Sequence, residues 1–211
     1  MLKLHNIPEV YGDDPLRSSL YTAIVNGQYC GVRTCRVSAM PFNTCSLPHQ
    51  RQLNQTEEAA FITFSGDGEA HVHIESKIPI NKAIIRPLSR EIATSIDGNS
   101  IEFILPEPGQ YVLELDSEHN ALHIFYDPVK EYYEKSSATY YFGPGLHFPG
   151  VIKLKDNDSV YIDPDAVVYG SIYGLHVKNA SISGGGVLDE TCHERMFWND
   201  WARWAAQGDI L

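Results

Sequence analysis

The side chains most capable of chemistry fall into two groups. In the first, Cys30, Cys35, Cys45 and His49 offer a soft four-ligand set, and His71 and His73 share one strand face as a second pair of metal-type ligands. In the second, Asp163, Asp165, Asp189 and Glu190 supply carboxylates, and Trp198, Trp201 and Trp204 place three indoles within seven residues. Carboxylates do acid–base work or grip hydroxyls; indole faces stack on flat ligand surfaces such as sugar rings. Each group also has a plainer reading. The cysteine spacing fits none of the tight paired patterns of structural zinc, so the thiols read as small, reduced, buried side chains with no metal or cofactor. His71 and His73 are flanked by Glu69 and Glu75 and read as solvated surface. Asp163-Pro164-Asp165 is a turn signal. Asp189 and Glu190 close the last recognisable strand, where a cleft could begin, and with Trp198 and Trp201 they are the substrate-binding candidates. No residue receives a catalytic role.

Two kinds of element must position these groups. From about residue 20 to 127 the chain consists of short alternating runs broken by turn residues. Ala70, Val72 and Ile74 alternate with polar neighbours, as do Ile101, Phe103 and Leu105, then Tyr111, Leu113 and Leu115. Gly66-Asp67-Gly68 predicts a hairpin between the Ala70 run and Phe61–Phe64. Such spacing predicts an antiparallel β-sandwich domain, residues 1–137, ending in a polar linker from Asp127 to Ser137. A different rhythm follows in residues 138–211. Ile152–Lys155 recurs as Leu175–Lys178, 23 residues on; Ser159-Val160 as Ser181-Ile182, 22 on; Ala166–Val168 as Gly186–Leu188, 20 on. About three short strands per repeat predict the first coils of a right-handed parallel β-helix, in which each strand pairs with its equivalent one coil away. Two to three coils fit between Tyr140 and Asp189, so the last coil presents an open edge through which copies could self-associate. From His193 to Gln207 the spacing of Phe197, Trp201, Trp204 and Ala205 predicts a short C-terminal helix.

Composition narrows the partners. The 211 residues carry a net charge of −11, with 43% hydrophobic and 20% charged residues, a globular profile that repels nucleic acid and anionic membrane. No apolar run reaches the roughly 18 residues of a membrane helix. No secretory signal is visible near Met1, so a cytoplasmic location is expected unless the N-terminus was trimmed. Residues 1–137 hold 11 Lys+Arg against 18 Asp+Glu, and residues 138–211 hold 5 against 9. Neither half is a basic platform, which favours a neutral glycan over a polyuronate.

The second part resembles a known group. Tyr141-Phe142-Gly143-Pro144-Gly145, Val160-Tyr161-Ile162, Ala166–Gly170 and Ile182–Asp189 are similar to the first coils of polygalacturonase-like glycoside hydrolases, which have a pectin-lyase-type β-helix. The preceding sandwich is similar in placement to that of the dextranase and isopullulanase family. The resemblance implies endo-hydrolysis of a polysaccharide with inversion: one carboxylic acid protonates the leaving oxygen while a carboxylate base activates water. The Asn-Thr-Asp, Asp-Asp, Gly-His-Gly and Arg-x-Lys motifs that carry this chemistry in polygalacturonases do not occur in the β-helical part. The expectation is therefore the N-terminal portion of such a hydrolase, truncated before its catalytic coils and inactive alone. The alternative is a complete non-catalytic carbohydrate-binding or self-assembling β module.

Overall fold

A computed structural model describes residues 2–5, 17–38, 56–130 and 137–189. By contacts the chain divides into two compact units, Met1–Cys35 with Glu58–Glu131, and Arg36–Glu57 with Tyr132–Leu211. Both are all-β: no α-helix occurs among the described residues, and a single 3₁₀ turn spans Leu88–Arg90. The helix expected over His193–Gln207 lies outside the described residues, as do Cys45, His49, Glu190, Trp198, Trp201 and Trp204.

The first unit is built by alternation of period two. Its strands are β1 (Lys3–Leu4), β2 (Tyr21–Val25), β3 (Gln28–Cys30), β4 (Arg33–Ser38), β5 (Thr56–Ser65) and β6 (Ala70–Ser76). Then come β7 (Ala83–Arg86), β8 (Thr94–Asp97), β9 (Ser100–Leu105), β10 (Gly109–Leu115) and β11 (Ser117–Asp127). One sheet runs β3-β2-β6-β9-β8; the other runs β1-β5-β11-β10-β7, with β4 also paired to β5. Every second residue of β2, β6 and β9 from one sheet, and of β5, β10 and β11 from the other, enters one shared apolar core. The predicted inward sets Ala70, Val72, Ile74 and Ile101, Phe103, Leu105 are all buried. Three buried tyrosines solve the problem of a phenol in that core by reaching its rim. Tyr111 and Tyr126 donate to the carbonyls of Glu107 and Gly68, both at 2.8 Å, and Tyr21 donates to that of Asn120.

Two expectations for this unit are corrected. The Gly66-Asp67-Gly68 turn does not close a hairpin. It carries the chain from β5 in one sheet to β6 in the other, and β6 pairs with β2 and β9 instead. Gly66 N–H binds the Asp127 carbonyl at 2.9 Å, so the turn is held by β11 rather than by a β5–β6 ladder. Nor is the unit purely antiparallel, because β5 and β11 run parallel with Ile62 opposite Ile124. Both strands alternate apolar inward whichever direction they take, so the pattern does not encode orientation.

The second unit consists of stacked parallel rungs. Its strands are β12 (Tyr140–Phe142), β13 (Gly145–Lys153), β14 (Ser159–Ile162), β15 (Ala166–Tyr173), β16 (Ser181–Gly184) and β17 (Val187–Asp189). They form two three-stranded parallel sheets, β12-β14-β16 and β13-β15-β17. Tyr140 faces Val160, which faces Ile182, steps of 20 and 22 residues. The expected pairings Ser159↔Ser181 and Val167↔Val187 are present. The 23-residue match is not a strand pairing: Ile152 pairs with Ile172 and Lys153 with Tyr173. Leu175–Lys178 lies between β15 and β16, with His176 at φ 56, where extended pairing is impossible. Between rungs, Val160, Ile162, Ala166 and Val168 form a small core, with Phe142 and Ile172 packed on it. At the turn, Asn157 and Asn179 both adopt positive φ, and the Asn179 amide donates to Asn157 Oδ1 at 3.2 Å, repeating one turn above another.

Candidate functional site

In parallel strands, register partners point to the same face, so each sheet of the coils carries columns of side chains. Val168 belongs to the inner core, which places its neighbour Tyr169 on the outer face. Tyr169 is the register partner of Asp189. On its other side, two residues of β13, Phe148 and Pro149, oppose Tyr169 alone, because the register shifts between His147 and Gly150. This bulge turns Phe148 onto Tyr169, with ring centroids 5.1 Å apart and planes 14° apart. Gly150 takes φ +71 to make the bulge, and Gly170 must be glycine because a Cβ would lie 2.5 Å from the Gly150 carbonyl oxygen. The outcome is a column of Phe148, Tyr169 and Asp189, with Phe148 69% exposed and the other two buried.

The β12-β14-β16 sheet repeats the device. Tyr141 stacks on Tyr161 at 5.7 Å with planes 6° apart, and Ser183 is the third member of that column. His147 has turned inward, edge-on to Phe142 at 5.3 Å, and its Nε2 is 2.7 Å from the Gly143 carbonyl oxygen, so Nε2 carries the proton.

The carboxylates of the coils divide by what they touch. Asp156 Oδ1 accepts the Lys178 N–H at 2.8 Å, Asp158 Oδ2 the Lys155 N–H at 2.7 Å, and Asp163 Oδ1 the Asp165 N–H at 3.2 Å. These are turn-forming contacts of short acidic side chains, and Asp163 sits in the turn its sequence predicts. Asp189 instead occupies a strand, at the end of an aromatic column. Of the four substrate-contact candidates it is the one among the described residues. The aromatic platform beside it was missed, although Phe148-Pro149-Gly150 inside an apolar run is a legible bulge signal.

The metal-type ligands are placed differently. His73 Nδ1 lies 3.0 Å from Glu102 Oε1, and Nε2 lies 3.7 Å from Glu75 Oε1. Cys30 is buried in the first unit's core, and burial pushes its thiol up to about 12. No three of His, Cys, Asp and Glu gather into a metal-holding group among the described residues.

Comparison with known proteins gives one architectural likeness. No family profile matches the chain, and no curated protein matches it by sequence. Its structure is similar to Dex49A from Penicillium minioluteum, with a TM-score of 0.59 and 17% identity over 87% of this chain. The chain spans 49% of that protein's length. At this identity the likeness shows the fold alone.

Proposed function

We propose that the chain is the N-terminal portion of a polysaccharide-hydrolysing glycoside hydrolase, a sandwich followed by the first coils of a right-handed parallel β-helix. By resemblance the whole enzyme is endo-acting and inverting. Within these residues the contribution is scaffold and glycan contact rather than acid–base chemistry. The observation that carries the reading is the parallel register of three successive rungs, Tyr140↔Val160↔Ile182, joined to the sequence resemblance already described. The fold likeness to Dex49A points the same way. Among the described carboxylates of the coils, Asp189 is the one set on a strand rather than in a turn, and it is the group we assign to substrate contact. Glu190, Trp198 and Trp201 complete the proposed contact set. The acidic balance of both halves favours a neutral glycan over a polyuronate.

The test is turnover by the 211-residue chain on dextran, pullulan and polygalacturonate, followed by release of reducing ends. No turnover is expected; robust hydrolysis of any of them overturns the reading. Binding supplies the second arm, with Asp189→Asn expected to weaken retention of the chain in gels containing the preferred neutral glucan.

One observation favours a second reading, a self-assembling module. Val160 and Val168 are fully buried, whereas their column-mates on the third rung, Ile182 and Leu188, are 56% and 42% exposed. A second copy stacked on that rung would cover them and pair its strand edges. Light scattering with a clean monomer at tens of micromolar removes this alternative.

A further inference from the structure

We infer that the outer face of the β3-β2-β6-β9-β8 sheet is a binding platform for a neutral glycan, separate from the coils. The inference takes its ligand class from the polysaccharide reading above, but its residues belong to the first unit alone. Because the inward residues of these strands fill the core, their alternate residues form straight cross-strand rows on the other face. Registers give the central row directly: Tyr29 opposes Ile24, Ile24 opposes His73, His73 opposes Glu102, and Glu102 opposes Ser95. Five strands separated by about 4.8 Å make this row about 19 Å long, enough for several linked sugar rings laid across the strands. On one side the row is flanked by His71 opposite Ile104, and on the other by Thr22, Glu75, Ser100 and Asp97.

The chemistry of the row suits an uncharged polyol. Tyr29 is 60% exposed and Ile104 44%, giving an aromatic and an aliphatic surface for the C–H face of a pyranose. Between them, His73 is held against Glu102 at 3.0 Å and near Glu75 at 3.7 Å, so imidazole and carboxylate are oriented before a ligand arrives. Such a pair offers acceptors and a donor to neighbouring hydroxyls, and its order reduces the entropy lost on binding. The charge of the face decides the partner. Glu102 lies on the central row and Glu75 and Asp97 on one flanking row, and none of the rows' residues is lysine or arginine. A polyuronate or a nucleic acid would meet carboxylates without a compensating cation. A neutral glycan meets hydrogen-bonding groups and a stacking surface.

The experiment is affinity electrophoresis of the whole chain in gels containing dextran, pullulan or polygalacturonate. Wild-type chain, Tyr29→Ala, Glu102→Ala and Asp189→Asn are run side by side, with folding checked by circular dichroism. Expected is retardation by a neutral glucan that weakens about tenfold in Tyr29→Ala, the loss of one stacked aromatic. Glu102→Ala should weaken it too, and because Asp189→Asn removes a contact of the coils alone, the Tyr29→Ala loss should persist in full when the two are combined. Retention lost in Asp189→Asn but untouched in both sandwich variants overturns this platform and leaves the coil reading standing. Equal retention by polygalacturonate overturns the neutral-ligand assignment, and no retention of wild-type chain by any glucan overturns both.

Discussion

Substituting Gly184 by alanine should detach the third rung of the coils while leaving the first unit intact. Gly184 is the register partner of Ile162, at φ +117, and a Cβ there would lie 1.9 Å from the Ile162 carbonyl oxygen. An acceptable carbon–oxygen approach is about 3.3 Å, so the chain must withdraw by about 1.4 Å. That same oxygen accepts the N–H groups of Gly185 at 3.1 Å and Gly186 at 3.2 Å, and the withdrawal breaks both. Two hydrogen bonds at about 1 kcal/mol each, plus about 1–2 kcal/mol for alanine in a left-handed conformation, give about 3–4 kcal/mol. Gly98 provides the control, since it has φ +59 but open space around its missing Cβ, and its alanine variant should lose only about 1–2 kcal/mol.

The readout must be local, because a chain of two units gives no single unfolding free energy. Hydrogen exchange by peptide mass spectrometry provides it. In Gly184→Ala, amides of β16 should lose about two orders of magnitude or more of protection, while those of β6 and β9 stay at their wild-type values. Unchanged protection of β16 in a folded Gly184→Ala variant refutes the close stacking of the third rung on the second.

Three further outcomes are expected. In a variant retaining Cys30 as its sole cysteine, thiol reagent at pH 8 should label the protein only on unfolding, because burial holds the thiol at about 12; fast labelling of folded chain contradicts the buried placement. Burial lowers the His123 pKa below the ordinary imidazole value of about 6.5, so the folded state binds this proton less readily than the unfolded one. Its contribution to stability is therefore full above that value and lost as pH falls through the lower folded one; the urea midpoint should drop between pH 7.5 and 5, and less steeply in His123→Gln, equal slopes arguing against it. Asn157→Gly should lose the ladder bond from Asn179, about 1 kcal/mol, and Asn157→Ala about 1–2 kcal/mol more for its positive φ. Exchange of the Lys178–Ser181 amides should rank wild type slowest and alanine fastest, and the reverse order of glycine and alanine counts against the left-handed turn.

How much of this was legible in the sequence depends on the range of the interaction. Alternation is written residue by residue, so Ala70, Val72 and Ile74 or Tyr111, Leu113 and Leu115 identify themselves as core. Partner choice is not written that way. The Gly66-Asp67-Gly68 segment has hairpin length and hairpin residues, yet Tyr126 from β11 binds the Gly68 carbonyl and Asp127 receives Gly66, contacts from about sixty residues away. Those contacts send β6 to the other sheet. The coils were more legible because their partners are a fixed step away and side chains repeat in columns. The 23-residue match failed because apolar–polar alternation survives in a turn, where Leu175–Lys178 imitates Ile152–Lys155 without pairing to it. The Phe148 bulge went unread for a related reason: one extra residue breaks the step that makes the repeat visible.

Columns also separate scaffold from chemistry more sharply than motif matching does. On both sheets of the coils the outer column starts aromatic and ends polar: Tyr141, Tyr161, Ser183 on one, Phe148, Tyr169, Asp189 on the other. Aromatic pairs add about 0.5–1.5 kcal/mol beyond their buried area, so the first two rungs spend their outer positions on cohesion. At the third rung the columns change to a hydroxyl, Ser183, and a carboxylate, Asp189. The Ser183 hydroxyl lies 3.4 Å from the Val160 carbonyl oxygen, and Asp189 is buried on its strand opposite Tyr169. That change of chemistry, at the rung where the aromatic column stops, is why Asp189→Asn is the first variant to set against the proposed glycan contact.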